Sequence, residues 1–176
     1  MTTLHLPDVE SDWTLADTDN LPPERRYEVH NGSLVIMSPA RIWHQRIARR
    51  IANLLEAAGR IAETEVGVRR TAHDGRVADV AAFREEPADS NETWHPADAL
   101  DLVIEVWSPS SDAKDRNPQW YAELGIPAYW LAEPIEGQKW AALITQYELA
   151  RTPSGTTAYI EIGKTTLDEL MRTGLS

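Results

Sequence analysis

The sequence predicts an α/β fold, and two kinds of periodicity support this prediction. Between residues 42 and 58 apolar residues recur at helical spacing, and Gly59 follows as a C-terminal cap. Runs rich in β-branched and aromatic residues lie on both sides of this helix and are typical of strands. The predicted strands are 26–29, 33–37, 61–70, 76–83, 101–106, 127–132, 139–149 and 159–162. We therefore expect helices packed on a sheet.

Turn and cap residues mark where several of these elements begin and end. Asn31 and Gly32 both tolerate positive φ and predict a hairpin between the first two strands. Asn117 followed by Pro118 predicts the start of a second helix, with Asn as N-cap and Pro at the first helical position. Residues 166–169 (TLDE) fit a capping box for a short C-terminal helix.

Length and composition predict one domain preceded by a lead-in segment. The chain has 176 residues, which is typical of a single domain. Residues 1–24 are acidic and contain three prolines, so we expect them to pack on a body formed by residues 25–176. Cysteine is absent, and no apolar run approaches the roughly 20 residues of a membrane span. We therefore expect a cytoplasmic protein.

The charge of the chain is unevenly distributed. The net charge is −11, which argues against a passive nucleic-acid coat. Residues 25–84, however, hold eleven of the 17 basic residues, all arginine, against six acids, a local net charge of +5. Arginine suits bidentate contact with phosphate. This segment is either a solvated face with ion pairs or a phosphate-binding face, and the sequence leaves both open.

Three acidic residues interrupt runs that otherwise read as strands, namely Glu28, Asp79 and Glu105. Acids are disfavoured in strands, and a carboxylate in apolar surroundings is costly unless it is paired or bound to a metal. Carboxylates that converge in space form the oxygen-rich site that Mg²⁺ or Mn²⁺ prefers. The alternatives are a water-facing edge strand for Glu105 and a bulge or exposed edge for Asp79.

Other catalytic signatures are missing from the sequence. The five histidines show no metal-binding pairing of the H-E-x-x-H type, and there is neither a Gly-rich phosphate loop nor a G-x-S-x-G elbow. His44 lies in the first turn of the predicted long helix, where we expect a capping or packing role rather than catalysis.

The order of the motifs resembles a known family. The segments YEVHNGSLVIMSP, HQR, RVADVAAF, DLVIEVWSPSS and YAELGIPAYWL are similar to those of the Uma-type restriction endonuclease family, within the PD-(D/E)XK nuclease superfamily. The resemblance implies a restriction-endonuclease-like central mixed sheet flanked by helices, with a divalent-metal site at one end. It also implies that Glu28, Asp79 and Glu105 are the site's acids.

The chain departs from this family at the lysine. The superfamily places a lysine two residues after the glutamate, where Trp107 stands, and the family itself has one at the position of Asn117. Lys114 is the lysine nearby that could take this role. A lysine stabilises developing negative charge, which an uncharged asparagine does poorly.

These observations leave three functional hypotheses. The first is a metal-dependent endonuclease that hydrolyses DNA phosphodiester bonds, with Lys114 replacing the missing lysine. The second is a catalytically inactive nuclease fold that binds DNA or regulates. The third is a structural interaction protein whose seven tryptophans supply an interface. The tryptophan content and the duplex cleavage typical of the superfamily also predict a homodimer.

Overall fold

The computed structural model describes residues 12–89, 91–108, 118–153 and 155–175 of the chain. In these ranges, a nine-stranded sheet combines with four α-helices and one turn of 3-10 helix at Ala97–Ala99. The helices are α1 (Leu15–Thr18), α2 (Ile42–Ala57), α3 (Pro118–Glu123) and α4 (Leu167–Thr173). The strands are β1 (Arg26–His30), β2 (Ser33–Met37), β3 (Ile61–Thr71), β4 (Asp74–Phe83), β5 (Trp94–Pro96), β6 (Leu100–Val106), β7 (Ala128–Pro134), β8 (Ala142–Arg151) and β9 (Thr157–Thr166).

The sheet is mixed, as predicted. Its main path runs β2-β1-β4-β6-β7-β8-β9, with β3 paired to β4 and β5 paired to β3. The pairs β6–β7 and β3–β5 are parallel, and the remaining pairs are antiparallel. The strands that carry Asp79 and Glu105 are neighbours, because β4 pairs with β6 from Val80–Ile104 to Phe83–Leu100.

One edge of strand β4 pairs with two different strands, β1 and β6, at different positions along its length. Strand β3 pairs with β4 from Ile61–Phe83 to Thr71–Asp74 and so occupies the other edge, with the pairing interrupted at Glu65 and Asp79. Strand β1 contacts the beginning of β4 at Gly75, whereas β6 pairs with it only from Val80 onwards. Between these contacts, at residues 77–79, β1 and β6 separate. We call this gap the fork.

Two apolar cores cover the faces of the sheet, and the alternation of β6 supplies both. Leu102, Ile104 and Val106 face the core built on α2, whereas Val103 faces the core that includes α3. The helix α2 buries its apolar stripe, which consists of Ile47, Ala48, Ile51, Ala52, Leu54 and Leu55. Because β6 is covered on both faces, its buried residues read as a nearly continuous apolar run.

Helix α3 is short and is fixed by aromatic residues. Trp120 and Tyr121 are buried, and Trp120 Nε1 donates a hydrogen bond to Asp74 Oδ2 at 3.0 Å. A six-residue helix has little stability of its own, so its tertiary contacts hold it in place. The predicted cap Asn117 lies outside the described residues.

The end of the predicted lead-in packs on the sheet. Leu15 is buried against Val29 and Trp94, and Thr14 forms a capping box with Asp17 at the start of α1. Residues 1–11 lie outside the described residues, and the boundary at residue 24 stays a prediction. No helix in the described part of the chain is long and apolar enough to cross a membrane.

Strand β5 lies between the predicted strands 76–83 and 101–106, where the sequence predicted no element. Strand β5 pairs in parallel with β3, and its Trp94 is 7% exposed. The pairing needs Gly67 on β3, because a side chain there would collide with the Thr93 carbonyl and the Trp94 ring. A three-residue strand set by such a contact has no periodicity of its own.

Candidate functional site

Asp79 lies at the fork, where the ladder between β4 and β6 stops. It stands one residue beyond the last pair, Val80–Ile104, and its Oδ2 accepts a hydrogen bond from the Val106 N–H at 2.8 Å. The carboxylate thereby replaces the backbone carbonyl that would continue the ladder. Asp79 is only 8% exposed, so the alternative of an exposed edge is wrong.

His44 and Arg26 approach the same carboxylate from α2 and β1. His44 Nε2 lies 3.2 Å from Asp79 Oδ2, and one guanidinium nitrogen of Arg26 lies 3.5 Å from Oδ1. Burial acts to raise the pKa of Asp79, but the His44 hydrogen bond and the charges of His44 and Arg26 hold it below its ordinary value. Burial acts to lower the pKa of His44, and its hydrogen bond and charge pairing with Asp79 raise it instead.

Glu105 faces the same region from β6. Its Oε1 accepts a hydrogen bond from the Tyr121 hydroxyl at 2.6 Å. Burial, followed by the negative charge of Asp79 and a smaller effect of Glu28, raises the pKa of Glu105 well above its ordinary value. A neighbouring carboxylate disfavours the ionised form of a buried acid. Strand β6 lies between β4 and β7, so the alternative of a water-facing edge strand is wrong.

Glu28 reaches the fork from β1, but its two oxygens are already engaged. Oε1 accepts a hydrogen bond from the Val77 N–H at 2.9 Å, and Oε2 lies 2.7 Å from His30 Nε2. Glu28 is 8% exposed. The structure therefore brings Asp79 and Glu105 together directly, and Glu28 contributes a charge beside them. In the part of the chain that the structure describes, no three His, Asp or Glu side chains form a ready-made metal site.

Comparison with known proteins agrees with this geometry. The model of the Uma2 family, described as "Putative restriction endonuclease", matches residues 15–160. This chain belongs to the Uma2 family. A solved structure of a "putative nuclease belonging to DUF820" from Anabaena variabilis ATCC 29413 shares the fold, with a TM-score of 0.61. That similarity has 18% identity and covers 90% of this chain and 97% of the other. The comparison with curated proteins gives no match.

The donor atoms in this Uma2 site suit a hard divalent cation. Asp79 and Glu105 each have one oxygen clamped by a hydrogen bond, from Val106 and Tyr121 respectively. Glu105 also forms a side-chain hydrogen bond with Asp79, which requires a proton between the two carboxyl groups that a cation could replace. The charge of Asp79 raises the cost of ionising Glu105, and a cation between the two carboxylates would reduce that cost. Mg²⁺ commonly binds through one or two carboxylates, with water and substrate phosphate as its other ligands.

The lysine expected in Uma2 proteins cannot be placed here. Lys114 and Asn117 both lie outside the described residues, so the predicted role of Lys114 stays a prediction. Trp107 follows β6 and is partly buried, and its backbone N–H donates to the Ala132 carbonyl at 2.8 Å. The position two residues after Glu105 therefore carries an indole and no cation.

Sequence reasoning missed three residues of this site: His44, Arg26 and Tyr121. His44 was expected to cap or pack the helix, whereas it lies on the Asp79 carboxylate. Arg26 was one of eleven arginines in the basic segment, with nothing to distinguish it. Tyr121 lies in the short helix α3, for which the sequence predicted only the start at Asn117 and Pro118. All three contacts depend on tertiary packing, so no local pattern could have revealed them.

Proposed function

We propose that this protein is a divalent-metal-dependent endonuclease that hydrolyses DNA phosphodiester bonds. The observation that carries the proposal is the pair of carboxylates, Asp79 and Glu105, which lie together at the fork. The chain that carries them belongs to the Uma2 family. Asp79, Glu105 and Glu28 are the proposed acids of the site, and Mg²⁺ or Mn²⁺ is the proposed ion. When bound, such an ion polarises the phosphodiester and lowers the pKa of an attacking water.

The chain's own residues have distinct roles in this proposal. Val106 and His44 fix Asp79 through Oδ2, and Tyr121 fixes Glu105 through Oε1. The remaining oxygens, Oε2 of Glu105 and Oδ1 of Asp79 beside Arg26, would bind the cation. Glu28 links β1 to β4 by accepting a hydrogen bond from the Val77 N–H, and it adds negative charge to the site. Lys114 stabilises the charge that develops on the phosphate in the transition state.

Cleavage of supercoiled plasmid DNA in Mg²⁺ or Mn²⁺ tests the proposal. We expect little cleavage by the natural chain, because loss of one charge-stabilising group slows chemistry by about two to three orders of magnitude. Asn117→Lys should raise cleavage, and Asp79→Asn in that background should abolish it. Asp101→Asn removes a half-exposed carboxylate from the same strand as Glu105 and should leave cleavage unchanged. If Asn117→Lys shows no cleavage in either metal, the enzymatic proposal is wrong.

Lys114→Ala tests the predicted substitute for the family lysine. Because Lys114 supplies the only cation assigned to the developing charge, its removal should abolish whatever cleavage the natural chain has. Arg151→Ala removes a positive charge from an exposed position at the end of β8 and serves as the control. Robust cleavage that survives Lys114→Ala would show that this residue has no catalytic role.

The second candidate is a nuclease-like fold that binds DNA without cutting it. Asn117 and Trp107 at the two possible lysine positions favour this candidate. DNA binding in the absence of cleavage, in both the natural chain and Asn117→Lys, would establish it. The tryptophan-based interaction protein stays a hypothesis: Trp94, Trp120 and Trp130 are buried, and the other four tryptophans are partly exposed.

We also propose a homodimer, on a different basis from the tryptophan content. Strand β9 ends the main path of the sheet and has ten residues. Two of its isoleucines, Ile160 and Ile162, are 54% and 52% exposed. A long edge strand with exposed apolar residues is a template for pairing with another strand. A second copy of the chain could pair there.

A further inference from the structure

A polar cleft of about 210 Å³ opens beside the fork, between α2 and β3. Asp79 and His44 line it, whereas neither Glu105 nor Glu28 is among its lining residues. The cleft therefore includes one carboxylate of the pair and adjoins the other. Its other lining residues are Arg26, Gln45, Ala48, Arg49, Thr64 and Glu65.

The arginines of α2 divide into two engaged residues and one free residue. Arg46 lies over the Trp140 ring, 4.2 Å from its centroid, and Arg50 pairs with Asp168. Arg49 is exposed and makes no hydrogen bond or ion pair to any other residue that the structure describes. Arg46 and Arg50 therefore make contacts within the fold, whereas the guanidinium of Arg49 is available to a ligand in the cleft.

On the opposite wall, Glu65 forms an ion pair with Arg26, and the backbone of Glu65 has a strained conformation. Glu65 has φ of 59°, a left-handed value that is rare for a residue other than glycine. Its carboxylate lies 3.4 Å from the guanidinium of Arg26 and is half exposed. Strain of this kind persists where the surroundings enforce it and clusters at functional sites. Both Glu65 and Arg26 line the cleft, so the Glu65 carboxylate lies at Arg26 where a phosphate oxygen would bind.

We propose that this cleft binds a backbone phosphate of the nucleic acid, next to the phosphodiester held at the carboxylate pair. Arg49 and Gln45 contact the phosphate from α2, Thr64 contacts it from β3, and it displaces Glu65 from Arg26. This inference rests on the proposed DNA substrate but not on cleavage. It assigns a ligand to one part of the arginine-rich segment 25–84.

Fluorescence anisotropy of a short labelled DNA duplex tests the inference in Ca²⁺, over a series of KCl concentrations. Arg49→Ala should weaken binding roughly threefold to tenfold and lower the salt slope by about one, because one phosphate contact is lost. Arg151→Ala is the matched control, since it removes an equal charge from an exposed position at the end of β8. It should leave the affinity and the slope unchanged.

The acid on the opposite wall gives a second readout with the opposite sign. Glu65→Gln should strengthen binding, because the phosphate then competes at Arg26 with one carboxylate, Asp79, instead of two. Glu148→Gln changes the charge equally at an exposed position on β8 and should have no effect. Equal effects of Arg49→Ala and Arg151→Ala, or no DNA binding by the natural chain, would overturn the inference.

Binding and cleavage fail independently in this design. If the duplex binds with the expected pattern and Asn117→Lys does not cut, the phosphate site stands and the hydrolytic function is wrong. If DNA is cut and Arg49→Ala binds like its control, hydrolysis stands and the assigned phosphate site is wrong.

Discussion

At the scale of single residues, the fork replaces backbone hydrogen bonds with side-chain carboxylates. The Val77 and Val106 N–H groups lie where β1 and β6 separate along β4, and buried N–H groups need partners. Glu28 accepts the first N–H and Asp79 accepts the second. The acids that place negative charge in the site therefore also accept the backbone N–H groups that the sheet leaves unpaired. This double role explains why acids stand inside runs of strand-forming residues.

Glu105 should destabilise the fold at neutral pH. Its pKa is raised above the ordinary value of 4.5 because of burial and the neighbouring Asp79. Since the unfolded chain releases this proton at a lower pH than the folded chain, stability falls as the pH rises from about 4.5 through the folded-state pKa. Glu105→Gln should thus raise Tm without metal, by a few degrees, the shift that about 1 kcal/mol produces at this length.

Thermal unfolding in a chelating buffer at several pH values measures this effect. The gain from Glu105→Gln should be small near pH 4 and increase towards pH 7. Glu148→Gln, at an exposed position on β8, should show no such trend. A gain that is independent of pH would indicate a packing effect and would remove the electrostatic explanation.

At the scale of elements, α3 connects the apolar core to the site. Tyr121 is 4% exposed and donates its hydroxyl hydrogen bond to Glu105. This bond favours the ionised form of Glu105 against burial and the charge of Asp79. A helix of six residues thus influences a carboxylate on β6 through one side chain.

Tyr121→Phe should raise the pKa of Glu105 further, because the hydrogen bond to the carboxylate is lost. If Glu105 binds a cation, the binding of Mn²⁺ should shift to higher pH and return at alkaline pH. The pH dependence of Mn²⁺ binding measures this shift. Tyr159→Phe is the control, since the hydroxyl of Tyr159 donates to the Ile126 carbonyl and not to an acid. Equal pH profiles for Tyr121→Phe and the natural chain would contradict this role.

Elements with their own periodicity were predictable, whereas contacts between elements were not. Helix α2 and strand β6 follow the predicted patterns closely, since each buries a regular face or run. Strand β9 extends from Thr157 to Thr166, and only its centre, 159–162, was predicted. The flanking residues Ala158, Gly163 and Lys164 are weak strand formers, and they are in the strand because β9 pairs with β8 along its length. His44 and Arg26 reach Asp79 for the same non-local reason.

At the scale of the whole molecule, β9 is the edge at which a second copy is expected to pair. The double substitution Ile160→Glu with Ile162→Glu should convert the dimer to a monomer, because it places charge on both exposed isoleucines. Sedimentation at micromolar concentration measures the mass. Ile36→Glu changes a residue that is 37% exposed on β2, at the other end of the sheet, and should preserve the dimer.

Two results would contradict this arrangement. A natural chain that sediments as the 19.8 kDa monomer would exclude the dimer. A dimer that survives the double substitution would show that the subunits pair through another surface.

The central claim is that Asp79 and Glu105 together bind a divalent cation at the fork. Calorimetric titration with Mn²⁺ tests it most directly, because binding is measured without any need for cleavage or DNA. The natural chain and Asp101→Asn should bind one ion with equal affinity, whereas Asp79→Asn and Glu105→Gln should each lose most of the binding. If both site variants bind Mn²⁺ as the natural chain does, the carboxylate pair is not a metal site.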